Sequence, residues 1–375
     1  MFFVLNRVVV LPRIGGTRTK YKEQSTKFQV PSTSDYGLRT TDQLVFMLHI
    51  LNGSSTEGTL KQSSVTGEYF SFRDALINGP TPGEVHGEKW RLLRARHLSE
   101  SYGVDLAVCE RDLTAQEATL SSFLQHEEVV LWFEHDLFCQ LNLLYLLDWF
   151  AHVELAQTRL TLINIGEFAG RENFRGLGEL NAPELASLFP QRHEVTAGEL
   201  ALATSAWAAY RSFDPTNIQV LLETDTSSLP FLKSAFKAHL QRFPSTRNGL
   251  GRIEHTGLSL IENGSEKFID LFQKFAAAEP VYGLGDAQLW LNLLELSTAR
   301  EPLLSIQNGN GSALTPRVIH SARFKLTAVG RALLTDGADF VELNGIELWL
   351  GGTHLQNEVN VWRWNEEKEK LERSK

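Results

Sequence analysis

The chain has 375 residues, 42% of them hydrophobic and 22% charged, which is the composition of a globular protein with two or three domains. Its formal net charge of -9 disfavours a nucleic-acid partner, because such a protein repels polyanions on average. No uncharged apolar run in the sequence reaches the roughly 18 residues that a membrane helix needs. We therefore expect a cytoplasmic protein without a membrane partner.

Two cysteines, Cys109 and Cys139, limit the chemistry that the chain offers. They do not form a CxxC pattern, so the sequence predicts neither a disulfide framework nor a zinc site made of thiolates. Such sparse cysteine usage fits a reducing compartment.

Residues 1–46 differ in composition from the rest of the chain. Residues 1–14 are apolar with two arginines, and the segment that follows is rich in Thr, Ser, Lys and Gln. This composition is compatible with a transit peptide. We favour instead a non-conserved or disordered extension, or an upstream start codon, with Met47 opening the folded unit.

A short apolar run, Val45–Leu51, predicts the first strand, and a helix is expected to begin near Gly58. The polar loop between them exposes backbone N–H groups and hydroxyls beside a helix N-terminus, which suits a phosphate or a carboxylate. The loop residues are Asn52, Gly53, Ser54, Ser55 and Thr56. The same residues also suit an ordinary turn, and the glycine-rich phosphate-binding patterns are absent. Both a turn and an anion site are therefore compatible with this loop.

A half-buried strand and two helices come next. Gly67–Phe72 alternates aromatic and polar residues, as a half-buried strand does. A loop with two prolines follows at Asn78–Gly83. The charged segment Glu88–Cys109 then predicts one helix, and Ala115–Leu124 predicts a second.

The stretch Val129–Phe133 is the centre of the predicted fold. It is a continuous apolar run of β-branched and aromatic residues, typical of a strand covered on both faces of a parallel sheet. Leucines at helical spacing follow from Leu137, so a helix begins within a residue or two of the strand. Glu134 and Asp136 lie at this junction, where ligands bind in open α/β sheets. Helix capping by the two acids is an equally strong interpretation.

A third buried strand is predicted at residues 160–165, and it ends in Gly166 and Glu167. Strands that alternate with helices predict an α/β class, here a Rossmann-like parallel sheet domain over residues 47–180. The polar strand ends should then lie along one edge of the sheet. The strands expected to be adjacent and parallel are 46–51, 129–133 and 160–165.

Residues 246–340 predict a winged-helix-like domain. Three helices precede two short strands, and residues 324–334 resemble the wing-to-helix segment of winged-helix transcription regulators. The third helix, which would enter the major groove of DNA, contains Asp286 and Glu295 but no lysine or arginine. Because acidic side chains repel phosphate, we favour a packing or dimerisation module, compatible with a homodimer, over DNA binding.

The segments that flank this domain have simpler patterns. Residues 181–245 predict a helical connector, because a capping box and a first-turn proline mark helix starts within it. Residues 341–375 begin with an aromatic and glycine-rich stretch, which we expect to pack back on another domain. A charged tail is expected from Glu366 onward.

Four motifs stand in order along the chain: His49-Ile-Leu-Asn52-Gly53-Ser54-Ser55, Gly79-Pro80, residues 131–137 with Gln140-Leu141, and residues 174–178. Together they resemble the bacterial family called domain of unknown function 1835, over the chain from Met47 onward. The family implies the architecture and no established activity. Its members usually have Asp where this chain has Ser54. If that carboxylate binds a metal or takes a proton, the resemblance implies a weakened or inactive protein.

Two functions are compatible with these patterns. One is an enzyme or ligand-binding protein that takes a small anionic ligand, phosphate- or nucleotide-like, at the strand ends, with hydrolase or transferase activity. Glu134 and Asp136 are its candidate acids, bases or metal ligands. The candidate ligand contacts are Asn52, Gly53, Ser54, Ser55, His135, Gln140 and Glu167. The alternative is a ligand-responsive winged-helix transcriptional regulator, and the sequence specifies neither a cofactor nor a metal.

Overall fold

A computed structural model of the chain describes residues 47–307, 319, 321–356 and 361–374, so the predictions for residues 1–46 lie outside the described residues. The described part is a mixed α/β fold. Its helices are α1 (Ser54–Leu60), α2 (Gly87–Tyr102), α3 (Leu106–Ser121), α4 (Leu137–Ala151), α5 (Ala182–Leu188), α6 (Ala197–Tyr210), α7 (Thr216–Leu222), α8 (Leu232–Leu240), α9 (Arg252–Glu262), α10 (Phe268–Ala278), α11 (Asp286–Thr298), α12 (Ala328–Leu334) and α13 (Phe340–Asn344). Its strands are β1 (Met47–Asn52), β2 (Glu68–Phe72), β3 (Glu128–Glu134), β4 (Arg159–Ile165), β5 (His193–Glu194), β6 (Leu304–Gln307), β7 (Arg323–Leu326), β8 (Glu347–Leu350), β9 (Thr353–Gln356), β10 (Trp362–Asn365) and β11 (Lys370–Arg373).

A five-stranded sheet in the order β2-β1-β3-β4-β5 positions the strand ends. β1 pairs in parallel with β2 and with β3, and β3 pairs in parallel with β4. The prediction of three adjacent parallel strands is therefore confirmed, and the predicted half-buried strand joins them as β2. The short β5 is antiparallel to β4 and closes one edge of the sheet.

The central strand β3 is buried along its whole length, because both faces of the sheet are covered. Leu131 and Phe133 face a large core that includes residues of α4, α6 and α8. Val130 and Trp132 face a smaller cluster with leucines of α1 and α5. Successive side chains of a strand point to opposite faces, so a strand between two cores must be apolar throughout. Each side chain of this size contributes about 1.5–3 kcal/mol when it is fully buried.

The C-terminal half packs against the same core. α9, α10 and α11 precede an antiparallel pair of strands, β6 and β7, in which Leu304 is opposite Leu326. One cluster of buried side chains extends from Leu48 in β1 to Leu371 in β11. Among the described residues, no helix has the length and apolar character required to cross a membrane.

The helix predicted over Glu88–Cys109 was wrong, because two helices occupy this region. α2 ends at Tyr102, where Gly103 adopts a left-handed conformation with φ 66°. Asp105 then caps α3 by accepting two backbone N–H groups of its first turn. The predicted second helix over Ala115–Leu124 is the end of α3 and a short 3-10 turn.

The charge run predicted from Glu366 is exposed over residues 366–370, but it does not end as a free tail. Lys370–Arg373 forms β11, which pairs with β10 in an antiparallel hairpin. Leu371 is buried, so one apolar side chain anchors a stretch that is otherwise charged. The hairpin is joined to the preceding chain by a backbone bond from Trp364 N to Pro244 O, 2.8 Å long, and by an ion pair between Arg363 and Asp339.

Candidate functional site

The ends of β1 and β3 and the start of α4 bring polar side chains together at one edge of the sheet. Asp136 is the N-cap of α4, because its side chain accepts the backbone N–H of Cys139 at 2.9 Å. The capping interpretation is therefore correct for Asp136. Capping of this kind contributes about 1 kcal/mol. A second carboxylate oxygen of Asp136 is left for other contacts.

Glu134 has a different role at this junction. It does not cap α4; its Oε1 accepts the backbone N–H of Leu177, at 2.7 Å, from a loop that approaches the strand end. Its Oε2 accepts a hydrogen bond from the Cys139 thiol. Gln140 orients the same residue, because its side-chain amide donates to the Glu134 carbonyl oxygen at 2.6 Å and to Asn164 Oδ1 at 3.1 Å. Gln140, predicted as a ligand contact, thus uses its amide to hold the end of the strand.

Cys139 lies at the centre of the cluster, although the sequence did not place it in the site. It follows the N-cap Asp136 by three residues, so the first turn of α4 turns its side chain back toward the strand end. Asn52 Nδ2 donates to its sulfur at 2.7 Å. Asn142, one turn further along α4, donates in turn to Asn52 Oδ1 at 2.7 Å. A row of hydrogen bonds therefore runs from Asn142 through Asn52 and Cys139 to Glu134.

The ligand atoms of Glu134, Asp136 and Cys139 all lie within 4.8 Å of one another. Both carboxyl groups are 4% exposed and the cysteine is 1% exposed. Burial raises the pKa of Glu134 to about 7, and the neighbouring Asp136 adds to the shift. Burial likewise raises the pKa of Asp136, and burial together with the two carboxyls raises the pKa of the Cys139 thiol. The cluster therefore favours its protonated, less charged forms.

Two glycines cover the carboxyl groups from different segments of the chain. Gly176 has φ +152°, and a Cβ at this position would lie 2.7 Å from Glu134 Oε1. Gly283 has φ +61°, and a Cβ there would lie 2.0 Å from Asp136 Oδ1. Side chains larger than hydrogen are thus excluded on both sides. Backbone from two loops encloses the acids.

The polar loop after β1 does not have the predicted form. α1 begins at Ser54 and not near Gly58, so Gly53, with φ 85°, is the N-cap residue and no side chain caps the helix. Ser54 and Ser55 are exposed, and Asn52 is buried against Cys139. Asn52 therefore belongs to the cluster. Ser55 Oγ lies 3.8 Å from where a Cβ on Gly178 would lie.

Two other predicted contacts make no hydrogen bond to the acids among the described residues. His135 packs against Phe231, with ring centroids 6.0 Å apart, and its positive charge, when it is protonated, lowers the pKa of Asp136 against the larger effect of burial. Glu167 is exposed, and no hydrogen bond or ion pair of the described residues joins it to Glu134 or Asp136. The structure thus brings together Asn52, Glu134, Asp136 and Gln140 from the predicted set.

Four residues of the cluster were missed by the sequence analysis: Cys139, Asn142, Gly176 and Gly283. The spacing of Asp136, Cys139 and Asn142, three residues apart on one helix, carries the signal for two of them. The glycines are distant in sequence, and nothing local marks them as neighbours of the acids.

The sequence was compared with protein-family models and with curated proteins. No protein-family model matches the chain, and no curated protein matches it in sequence. The resemblance of its motifs to domain of unknown function 1835 therefore stays a prediction.

Proposed function

We propose that the protein binds a small anionic ligand, of the phosphate or nucleotide class, where β1 and β3 end, and acts on it as a hydrolase or transferase. The observation that carries the proposal is the cluster of Glu134, Asp136 and Cys139, whose ligand atoms lie within 4.8 Å. Buried acids with perturbed protonation are concentrated at functional sites, because folding alone rarely favours them. The parallel part of the sheet, in the order β2-β1-β3-β4, supports the same location, since ligands of open α/β sheets bind at the carboxyl ends of the strands.

The charge of the cluster decides how an anion can enter. No lysine or arginine among the described residues donates to Glu134 or Asp136. Once the two acids are ionised, an anion placed directly against them would be repelled by several kcal/mol in a buried setting. The ligand therefore needs a positive group between itself and the acids.

The winged-helix regulator is the weaker alternative. Three helices followed by the β6-β7 pair of strands support a winged-helix-like module. Against DNA binding, α11 buries Ala287, Leu289, Trp290 and Leu293, so most of the helix that would enter the groove is core. A helix that reads base edges needs exposed polar and basic side chains. This burial supports a packing role for the module.

The proposal is tested by ligand binding to the full-length protein. Isothermal titration calorimetry with adenine and guanine nucleotides and with sugar phosphates, each with a divalent cation, should reveal at least one ligand. Glu134→Gln should lower the affinity for that ligand at least about 10-fold, which is equivalent to about 1.4 kcal/mol of binding free energy. Glu127→Gln is the matched control, because Glu127 is an exposed acid just before the other end of the same strand.

Two results would count against the proposal. One is that no compound of this class binds to the wild-type protein. The other is that Glu134→Gln and Glu127→Gln bind the ligand as tightly as the wild type does, which would place the ligand elsewhere.

A further inference from the structure

We propose that Glu134, Asp136 and Cys139 form a divalent-metal site for which Zn²⁺ is the preferred ion. The inference rests on the proposed function for the role of the metal. The metal would supply the positive charge that an anionic ligand needs at this edge of the sheet.

The donor set selects the kind of metal. Two carboxylates and one thiolate combine hard oxygen ligands with a soft sulfur ligand. Mg²⁺ and Ca²⁺ prefer oxygen ligands alone, whereas Zn²⁺ accepts sulfur, nitrogen and oxygen. A tetrahedral zinc with bonds of about 2.0–2.3 Å separates its ligand atoms by about 3.5 Å. The three ligand atoms lie within 4.8 Å of one another, so shifts of about 1 Å in side-chain positions would bring them to the distances that zinc requires.

Each carboxyl has an oxygen to give to a metal. Glu134 Oε1 is held by Leu177 N, and Asp136 Oδ1 is held by Cys139 N. These bonds fix the two side chains from outside the cluster. The other oxygens, Glu134 Oε2 and Asp136 Oδ2, are the candidate ligands. Glu134 Oε2 accepts the Cys139 thiol while no metal is bound, so metal binding replaces that hydrogen bond and releases the thiol proton to solvent. Outer bonds of this kind are the usual support of metal-binding carboxylates.

A second and independent observation comes from two buried amides. Asn142 is 0% exposed, and its Nδ2 is aimed at Asn52, the residue whose amide contacts the Cys139 sulfur. Asn142 Oδ1 has no hydrogen-bond partner among the described residues. An unpaired amide oxygen in the interior costs about 1–3 kcal/mol. A protein keeps such a group where a bound species makes use of it.

The amide pair can adopt a second arrangement. If both amides turn over, Asn52 Nδ2 donates to Asn142 Oδ1, Asn52 Oδ1 faces the cluster, and Asn142 Nδ2 takes the position that has no partner. The hydrogen bond between the two amides is kept in this arrangement. Asn52 then offers a fourth ligand, which is the number that zinc takes in most sites. Amide orientation is fixed by the hydrogen-bond network, so the ion itself would select this arrangement.

The test uses metal alone and the full-length protein. Protein freed of metal with a chelator is titrated with Co²⁺, which replaces Zn²⁺ and reports thiolate ligation through a sulfur-to-metal charge-transfer band. We expect one equivalent to bind, with the band present, and Zn²⁺ to displace Co²⁺. A titration that gives no such band in the wild type would overturn the proposal without recourse to any variant.

Matched cysteine variants locate the site. Cys139→Ser should abolish the charge-transfer band. It should also lower the affinity for Zn²⁺ more than about 10-fold, as measured by competition with a chromophoric chelator. Cys109→Ser is the control, because Cys109 is also buried but lies on α3 outside the cluster. Circular dichroism confirms that both variants are folded. A band that survives in Cys139→Ser would assign the sulfur ligand elsewhere and contradict the proposal.

The outcomes separate this inference from the proposed function. If Zn²⁺ binds through Cys139 but no phosphorylated compound binds, the metal site stands and the proposed function fails. If a nucleotide binds in the presence of chelator and no metal enters the cluster, the metal inference fails and the ligand site stands.

Discussion

Two buried polar clusters of the protein differ in one respect, the presence of a cationic side chain. In the first, Arg94 and Asp74 form an ion pair 2.6 Å long, and their side chains are 0% and 4% exposed. Arg94 also donates to the backbone oxygens of Ala75, Asn78 and Pro80. In the second, Glu134 and Asp136 lie beside a thiol, and neither acid pairs with a lysine or an arginine of the described residues.

The comparison distinguishes charged groups that are buried to stabilise the fold from acids that are buried at a candidate binding site. Every charge of the Arg94 cluster is compensated by a partner, and its hydrogen bonds hold the loop of residues 75–80 against α2. Such a pair is expected to fix one conformation. The acids of the other cluster are uncompensated, which is unfavourable for folding and favourable for binding a cation. The two clusters should therefore respond differently to substitution and to pH.

The largest effect is expected from Arg94→Met. The substitution leaves Asp74 buried without its partner, and breaking a buried pair in this way costs about 3–5 kcal/mol. Urea denaturation gives the loss in free energy of unfolding. Arg91→Met, on the same helix, is the control, because Arg91 pairs with the partly exposed Glu117 and such pairs contribute about 0–1 kcal/mol. Equal losses in both variants would remove the distinction on which the comparison depends.

A smaller effect concerns His97, which lies beside the Arg94 cluster. Burial and the positive charge of Arg94 lower the pKa of His97 to about 3, from 6.5. The unfolded state therefore binds more protons, and the contribution of His97 to stability is complete above pH 6.5 and is lost as the pH falls toward 3. At pH 5 this loss is about 2 kcal/mol.

His97→Asn tests that sign. The variant should lose less stability than the wild type between pH 8 and pH 5, by about 2 kcal/mol, when unfolding by urea is measured at both pH values. His152→Asn is the control, since His152 is an exposed histidine near the end of α4. Parallel pH profiles for wild type and His97→Asn would show that His97 is not the source of acid sensitivity.

The strands and the location of the site were predictable because their signals are local. An unbroken apolar run such as 129–133 has few alternatives to a strand between two cores, and polar residues directly after it must lie at the sheet edge. Asp136 and Glu134 were found in this way. The same rule placed β1 and β4 beside β3.

The remainder of the cluster depends on contacts between distant segments. Cys139 faces the acids only because α4 starts with a particular rotation, and Gly283 covers Asp136 only because the 3-10 turn Pro280–Tyr282 packs there. Predictions from composition were also wrong where a single residue determined the local structure against the pattern of its neighbours. Gly103 ended α2 within a helical pattern, and Leu371 drew a charged segment into a strand.

At pH 5 the smallest effect on stability is expected from Glu134→Gln, and this variant tests the other cluster. At pH 5 and with a chelator present, the wild-type carboxyl is largely neutral, because burial raises its pKa to about 7. The amide has the same shape, and its oxygen can still accept the N–H of Leu177. The free energy of unfolding should therefore change by less than about 1 kcal/mol. Between about pH 4.5 and 7 the carboxyl ionises in the unfolded wild type but stays protonated in the folded protein, so the wild type loses stability as the pH rises. The variant has no such group at this position, so it should gain stability relative to the wild type over this range. Urea denaturation at pH 5 and pH 8 measures both quantities.

A loss of stability as large as that of Arg94→Met would mean that Glu134 is needed for the fold. The contrast between the two clusters would then have to be abandoned.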